Sequence, residues 1–132
     1  MKFIIPERII RRRIMEYFQK ANAIYNTKDY SRAIALYKKA AEMKDNEASS
    51  LYNTAVCFIH LKEYEKAIPL FHSAISFRRE SKYFFNLAYC YAMCVNKPKA
   101  LYYFNIAWTL NNDDEDCEKA INLLLKSYRT AP

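Results

Sequence analysis

The side chains of this chain best suited to chemistry are Cys57, Cys90, Cys94 and Cys117, the histidines His60 and His72, and the amides of Asn22, Asn53 and Asn86. A structural zinc site needs paired cysteines close together in a loop, or histidines at short fixed spacing from them. The four cysteines fall instead on predicted helices. Cys90 and Cys94 share a helix face, but neither histidine stands at ligand spacing from them. Buried thiols, with no metal and no cofactor, are the expectation. His60 and His72 lie twelve residues apart on different predicted helices, with no nucleophile or carboxylate in reach by sequence. That pattern offers no base paired to a nucleophile, so the chain reads as no enzyme. The chain also lacks glycine entirely, which excludes the glycine-rich phosphate loop and the dinucleotide fingerprint. The asparagines remain. An amide that both donates and accepts suits the main chain of a bound peptide, whatever its sequence.

The elements that must position these groups come from an internal repeat. Ala21, Ala55 and Ala88 recur at intervals of 34 and 33 residues, as do Ala33, Ala67 and Ala100. Tyr37, Phe71 and Phe104 follow in register, then Ala40, Ala74 and Ala107. A period near 34 marks a stacked helical array whose units complete one another's cores. Within each copy two trios at i, i+4, i+7 place their apolar residues on one helix face: Tyr17, Ala21, Ile24 and Ala33, Tyr37, Ala40 in the first. The corresponding trios are Leu51, Ala55, Phe58 and Ala67, Phe71, Ala74, then Phe84, Ala88, Tyr91 and Ala100, Phe104, Ala107. Polar turns at Lys28-Asp29-Tyr30, Lys62-Glu63-Tyr64 and Asn96-Lys97-Pro98 separate them. Pro98 suits a first helical turn, whereas Pro69 falls inside a helix and should bend it. A further stripe, Cys117, Ala120, Ile121, Leu124 and Tyr128, predicts a seventh helix that Leu101 and Trp108 are placed to meet.

These residues resemble the tetratricopeptide repeat, with its small residues at repeat positions 8, 20 and 27 and aromatics at 4, 11, 17 and 24. With position 1 at Ile14, Ala48 and Ser81, all nine small positions are alanine. The segments KDYSRAIALYKKA and KEYEKAIPLFHSA follow the family's turn and second helix. Departures are Tyr17 at position 4, Lys20 and Thr54 at position 7, and the absence of proline at position 32. The resemblance implies an all-α, right-handed α-solenoid of three helix hairpins (14–47, 48–80 and 81–114). A basic segment and helix start, 1–13, would precede them, and a capping helix, 115–132, would follow.

The resemblance also implies that first helices line a concave face. Positions 5, 9 and 12 there are Phe18, Asn22, Tyr25; Tyr52, Val56, Ile59; and Phe85, Tyr89, Ala92. Seven of these nine are apolar or aromatic, where a solvated face should be polar. A contiguous apolar patch of ~300–600 Å² marks an interaction site. The expected ligand is therefore an extended or short helical peptide of a partner protein. It would be held by Phe18, Tyr25, Tyr52, Val56, Ile59, Phe85 and Tyr89, with Asn22, Asn53 and Asn86 bonding its backbone. His60, at position 13, borders this groove, and His72 is expected in solvent. The competing expectation is a groove filled from within, by Phe3-Ile4-Ile5 or by dimer packing.

Subgroups of the family sharpen the alternatives. The two-carboxylate clamp for heat-shock chaperone C-termini is matched at Asn22, Asn53 and Lys82, but Phe18 and Asn86 stand where it needs cations. Three repeats with an apolar groove also resemble the class II chaperones of type III secretion, which hold a segment of a translocator protein. A self-assembling scaffold is the third class. The formal charge of +7 is uneven, with Lys2, Arg8, Arg11, Arg12 and Arg13 at the start and Asp113, Asp114, Glu115, Asp116 and Glu118 near the end. The acids suit the N-terminus of the last helix. The two ends together allow a head-to-tail oligomer as well as a homodimer. One short basic cluster without a continuing stripe predicts no nucleic-acid partner. No apolar run approaches the ~20 residues of a membrane span, and the opening Met-Lys-Phe-Ile-Ile is too short for a signal core. A reducing, cytoplasmic setting is expected.

Overall fold

The computed structural model describes residues 2–129, and the backbone alone at 11–15. The side chains of Arg11, Arg12, Arg13 and Ile14, and residues 130–132 of the expected cap, lie outside that description. Among the described residues seven helices follow in order: α1 (Glu7–Asn26), α2 (Tyr30–Glu42), α3 (Glu47–His60), α4 (Tyr64–Phe77), α5 (Ser81–Met93), α6 (Lys97–Leu110) and α7 (Glu115–Arg129). Each packs on its sequence neighbours, and α3 also touches α5. The protein is an all-α solenoid of three helix hairpins and a seventh helix.

Close helix crossings explain the alanines. All nine, from Ala21 to Ala107, have no exposed surface, because a methyl group lets two backbones approach where a longer side chain would hold them apart. The thiols complete the same packing. Cys57 lies in the core built by Ala21, Ala33, Ile34 and Tyr37 of the preceding copy. Cys90 lies with Ala55, Ala67 and Phe71 of the copy before it. Both occupy repeat position 10, so each plugs the core one unit upstream, while Ala23 at that position of the first copy is exposed. Burial pushes Cys57 and Cys90 up to about 12 and Cys117 to about 11, so these thiols stay protonated; Cys57 and Cys90 serve as small apolar groups, and the Cys117 thiol donates to Phe104 O at 3.1 Å. Cys94 departs from expectation. It caps α5 and is only half-buried.

Without glycine, the turns use costlier residues. Lys28, Lys62 and Val95, at one repeat position, all have positive φ (67, 60 and 59°). After α3 and α5 the residue that follows sends its N–H back five residues, Glu63 to Phe58 O at 2.8 Å and Asn96 to Tyr91 O at 2.9 Å. That closure needs a left-handed residue, which glycine fills without steric cost. At helix starts, Asp29 Oδ1 accepts from the Arg32 N–H at 3.3 Å and Asn96 Oδ1 from that of Lys99 at 3.2 Å. Asp114 Oδ1 accepts from Asp116 and Cys117 at 3.0 and 3.2 Å, so the acidic run does begin α7. Pro98 sits in the first turn of α6, and α4 continues through Pro69. Trp108 joins Ala120, Ile121 and Leu124 of α7 against Phe104, Ala107 and Cys117.

Candidate peptide-binding face

The candidate residues come from the three first helices: Phe18, Asn22 and Tyr25 on α1; Tyr52, Asn53, Val56 and Ile59 on α3; Lys82, Phe85, Asn86 and Tyr89 on α5. Lys82 is exposed and the other ten are half-buried. Their partial burial has one repeating cause. In every copy the position-5 ring packs against the position-24 ring of the second helix: Phe18 on Tyr37 at 5.9 Å, Tyr52 on Phe71 at 5.8 Å and Phe85 on Phe104 at 5.3 Å. Interplanar angles of 61, 60 and 70° put ring edges near ring faces, the arrangement aromatic quadrupoles favour. The stripe is thus shared between core and surface.

The asparagines are brought into two hydrogen-bonded groups. Tyr37 is buried, and its hydroxyl donates to Asn22 Oδ1 at 2.5 Å. Burial pushes the Tyr37 phenol up to about 12, with the neighbouring Asn53 amide acting weakly the other way. The second group spans α3 and α5. Asn86 Nδ2 donates to the Tyr52 hydroxyl at 2.9 Å and to the Lys82 carbonyl at 3.1 Å. A carbonyl only accepts, so this bond fixes which way the Asn86 amide points and leaves Oδ1 as an acceptor. Asn22 uses its oxygen on Tyr37 and keeps its NH₂ donors.

Lys82 is engaged elsewhere. Its ammonium lies 5.1 Å from the Tyr52 ring centroid and 3.8 Å from a Glu80 carboxylate oxygen, and Arg78 approaches the same carboxylate at 3.5 Å. With Phe18 and Asn86 at the other clamp positions, no described cation stands unengaged at the three sites a bound carboxylate would need.

His60 is exposed at the edge of this face but its ring is engaged. It stacks on Tyr30 at 4.2 Å with rings 1° from parallel, and its Nε2 lies 3.1 Å from the Tyr25 hydroxyl. His72 is exposed but bonded to the Tyr91 hydroxyl at 3.0 Å, and desolvation with the Lys99 charge holds its pKa below the usual value. Filling of the groove by Phe3-Ile4-Ile5 is not seen, since Phe3 and Ile4 are 92 and 89% exposed. Nor could that segment reach the middle of α1 within one copy. From the helix cap at Pro6, Asn22 lies sixteen residues along α1, about 24 Å away. Residues 2–5 fully extended span only about 14 Å.

Sequence reasoning missed the contributions of Tyr37, Tyr83, Tyr30 and Glu80. Tyr37 carried a signal: it is the one tyrosine among the three position-24 aromatics, and a buried hydroxyl requires a partner. Tyr83 stacks on Tyr52 at 4.8 Å from a position with no place in the repeat pattern.

A sequence profile of the family described as anaphase-promoting complex, cyclosome, subunit 3 matches residues 7–74. Heat shock protein STI1 of Saccharomyces cerevisiae is 39% identical over 54 residues, covering 40% of this chain and 9% of that one. The chain spans a fifth or less of the length of the curated relatives it matches. Among solved structures, the first TPR of Spaghetti (RPAP3) bound to the HSP90 peptide SRMEEVD superposes with a TM-score of 0.84 at 14% identity, covering 90% of this chain and 95% of that one. The Yersinia enterocolitica type III secretion chaperone SycD, in complex with a peptide of the translocator YopD, gives 0.82 at 12% identity, covering 89 and 95%. No described helix is long and apolar enough to cross a membrane.

Proposed function

The chain belongs to the tetratricopeptide-repeat family described as anaphase-promoting complex, cyclosome, subunit 3, and from that premise we propose that it is a non-catalytic adaptor or chaperone whose concave face holds an extended or short helical apolar segment of a partner protein. The observation that carries this reading is the division of labour within the α1–α3–α5 face. Each position-5 ring is anchored on a second-helix ring yet keeps part of its surface open. Rigid, half-exposed aromatics bury ligand side chains without first being ordered, which lowers the entropic cost of binding. Between them, Asn22 offers donors and Asn86 an acceptor, as a peptide main chain requires. The domain division of 14–114 for the array and 115–132 for the cap, and a cytoplasmic setting with free thiols, belong to this proposal.

The competing reading is a clamp for a C-terminal carboxylate, favoured by the likeness to STI1. Against it stand Phe18 and Asn86 at two cation positions and the engagement of Lys82 with Glu80 and Tyr52. Charge-assisted bonds to a carboxylate lose most of their strength when the cations are absent or already neutralised. Fluorescence anisotropy with two labelled probes separates the readings: an apolar peptide with an amidated C-terminus, and an acidic peptide ending in a free carboxylate. Binding of the first and not the second supports the apolar groove, and the reverse supports the clamp.

A further inference from the structure

The turn edge of the array carries two matching frames, one filled and one open. The first lies between the α1–α2 and α3–α4 hairpins. There Lys28 turns the chain with positive φ, Asp29 pairs with Arg32 at 3.7 Å, and Tyr30 opens α2. His60, the last residue of α3, lies flat on the Tyr30 ring. The second frame lies one repeat on, between the α3–α4 and α5–α6 hairpins. Lys62 again has positive φ, Glu63 pairs with Lys66 at 2.5 Å, and Tyr64 opens α4. Met93, the last residue of α5, stands at the repeat position that His60 holds in the previous copy. Met93 presents no ring, and this frame leaves a cleft of about 350 Å³ between Met93, Cys94 and the turn residues 62–66.

The walls of the cleft select what it holds. Tyr64 has one described ring partner, Tyr89, at 5.9 Å and 74°, so no described ring is stacked on its face. The side chains across from it are a thioether and a thiol, polarisable groups that pack well against aromatic rings. Met93 is unbranched and 46% exposed, free to swing aside for a ring. Burial and the Glu65 carboxylate raise the Cys94 pKa above the usual thiol value, so that wall is uncharged. On the rim Lys62 and Lys66 balance Glu63 and Glu65, which favours neither an anion nor a cation. The filled frame suits an imidazole because the Tyr25 hydroxyl meets its Nε2 at 3.1 Å. Ile59 holds the position of Tyr25 in the open frame and offers no polar group. An uncharged ring such as an indole or a phenyl therefore fits better than an imidazole, whose nitrogens would lack a partner there. The volume lies at the low end of the ~300–1,000 Å³ of ligand pockets, room for one ring system rather than a chain segment.

We infer that this cleft takes one uncharged aromatic side chain of the partner protein, stacked on Tyr64 as His60 stacks on Tyr30. Tyr89 joins the cleft to the α1–α3–α5 face, so a segment lying on that face passes beside the opening. The inference thus rests on the reading of that face as a peptide site, and adds to it a preference for an aromatic anchor.

The test has two arms, both on the full chain. The first reads the cleft directly, by magnetic resonance of isotope-labelled methionine methyls titrated with fluorine-labelled N-acetyltryptophanamide. Ring current from a stacked indole should shift the Met93 methyl and leave that of Met43 in place, while N-acetylleucinamide moves neither. Tyr64→Leu keeps bulk but removes the flat ring, and Met93→His closes the cleft as His60 closes the other frame. Each should weaken the probe about tenfold by its fluorine resonance, the scale of one stacked ring pair. The second arm compares, by anisotropy, two amidated apolar peptides that differ only in a tryptophan or an alanine at one position. Met93→His should weaken the tryptophan peptide about tenfold and leave the alanine peptide unchanged. Should Met93→His misfold by circular dichroism, Cys94→Phe fills the cleft from the next residue and replaces it. No Met93 shift, or a shift that survives Tyr64→Leu, overturns the inference even where both peptides bind, and the peptide face then stands without it. A Met93 shift with peptides that bind alike makes the cleft a site for small aromatic molecules and overturns the partner side chain as its occupant. A Met93 shift with no binding of either peptide overturns that occupant as well, and there the peptide reading of the face is what has failed.

Discussion

The Asn86 amide donates to the Tyr52 hydroxyl at 2.9 Å, tying α5 to α3 across 34 residues of sequence. The same Tyr52 ring stacks on Tyr83 at 4.8 Å and leans on Phe71 at 5.8 Å. One residue thus joins two repeats by hydrogen bond and by ring packing, and burial raises its phenol pKa above the usual value. Tyr52→Phe keeps the packing and loses the bond, which should cost about 1 kcal/mol of stability. Tyr52→Ala loses both and should cost about 3 kcal/mol or more. Denaturant titration of the two variants checks the order. Equal losses would show that the hydroxyl contributes nothing separable from the ring.

Val95 at φ 59° is the most strained turn residue, since a β-branched side chain clashes with the backbone in the left-handed region. It is 81% exposed, so no packing repays the strain. Val95→Gly should therefore stabilise by about 1 kcal/mol, with Val95→Asn close behind. Lys62→Gly should gain less, because an unbranched side chain clashes less. A fall in melting temperature for Val95→Gly would show that Val95 makes a contact that offsets its backbone.

The fold was legible because alanine at a helix crossing is a geometric requirement: Ala21, Ala55 and Ala88 could be read as crossings from spacing alone. Three of the four thiols were legible as buried, Cys94 being the exception, but Cys57 and Cys90 were not legible as plugs for the upstream copy. That role depends on which face of α3 and α5 meets the previous hairpin, which a one-helix period does not reveal. The candidate face was half legible. Position 5 could be seen to be aromatic, yet its packing on position 24 is a contact between helices. Lys82 matched a clamp position by type, but its Glu80 partner two residues earlier lies outside the helix, where periodicity carries no information.

Asp45 sits at repeat position 32, buried, with Oδ1 accepting from Asn46 at 3.0 Å and Oδ2 without a described partner. Burial raises its pKa above the usual 3.8. The folded state thus holds the proton more tightly than the unfolded chain. The stabilisation this gives is complete at low pH and is lost as pH rises through the folded pKa. Asp45→Asn removes the charge and should stabilise at pH 7 by about 1 kcal/mol, with a smaller gain near pH 4. Chemical denaturation at both pH values checks this. A gain independent of pH would assign the effect to shape alone.

Binding at the α1–α3–α5 face decides between the two peptide readings. If the half-open rings are the anchors, Tyr89→Ala should weaken an apolar peptide by about 2 kcal/mol, near thirtyfold, as truncation of a central contact does. Tyr89 is preferable to Tyr52 for this purpose, because it has one described ring partner, Tyr64 at 5.9 Å, where Tyr52 has two, although it too packs on the α5–α6 core. Lys82→Ala should change affinity little, since the ammonium is held by Glu80 and Tyr52 rather than presented to a ligand. Salt dependence should be mild for the same reason. A carboxylate clamp predicts the opposite set: strong loss at Lys82→Ala, steep salt dependence, no binding once the peptide C-terminus is amidated, and tolerance of Tyr89→Ala. Because the two sets share no outcome, four anisotropy titrations are enough to reject one of them.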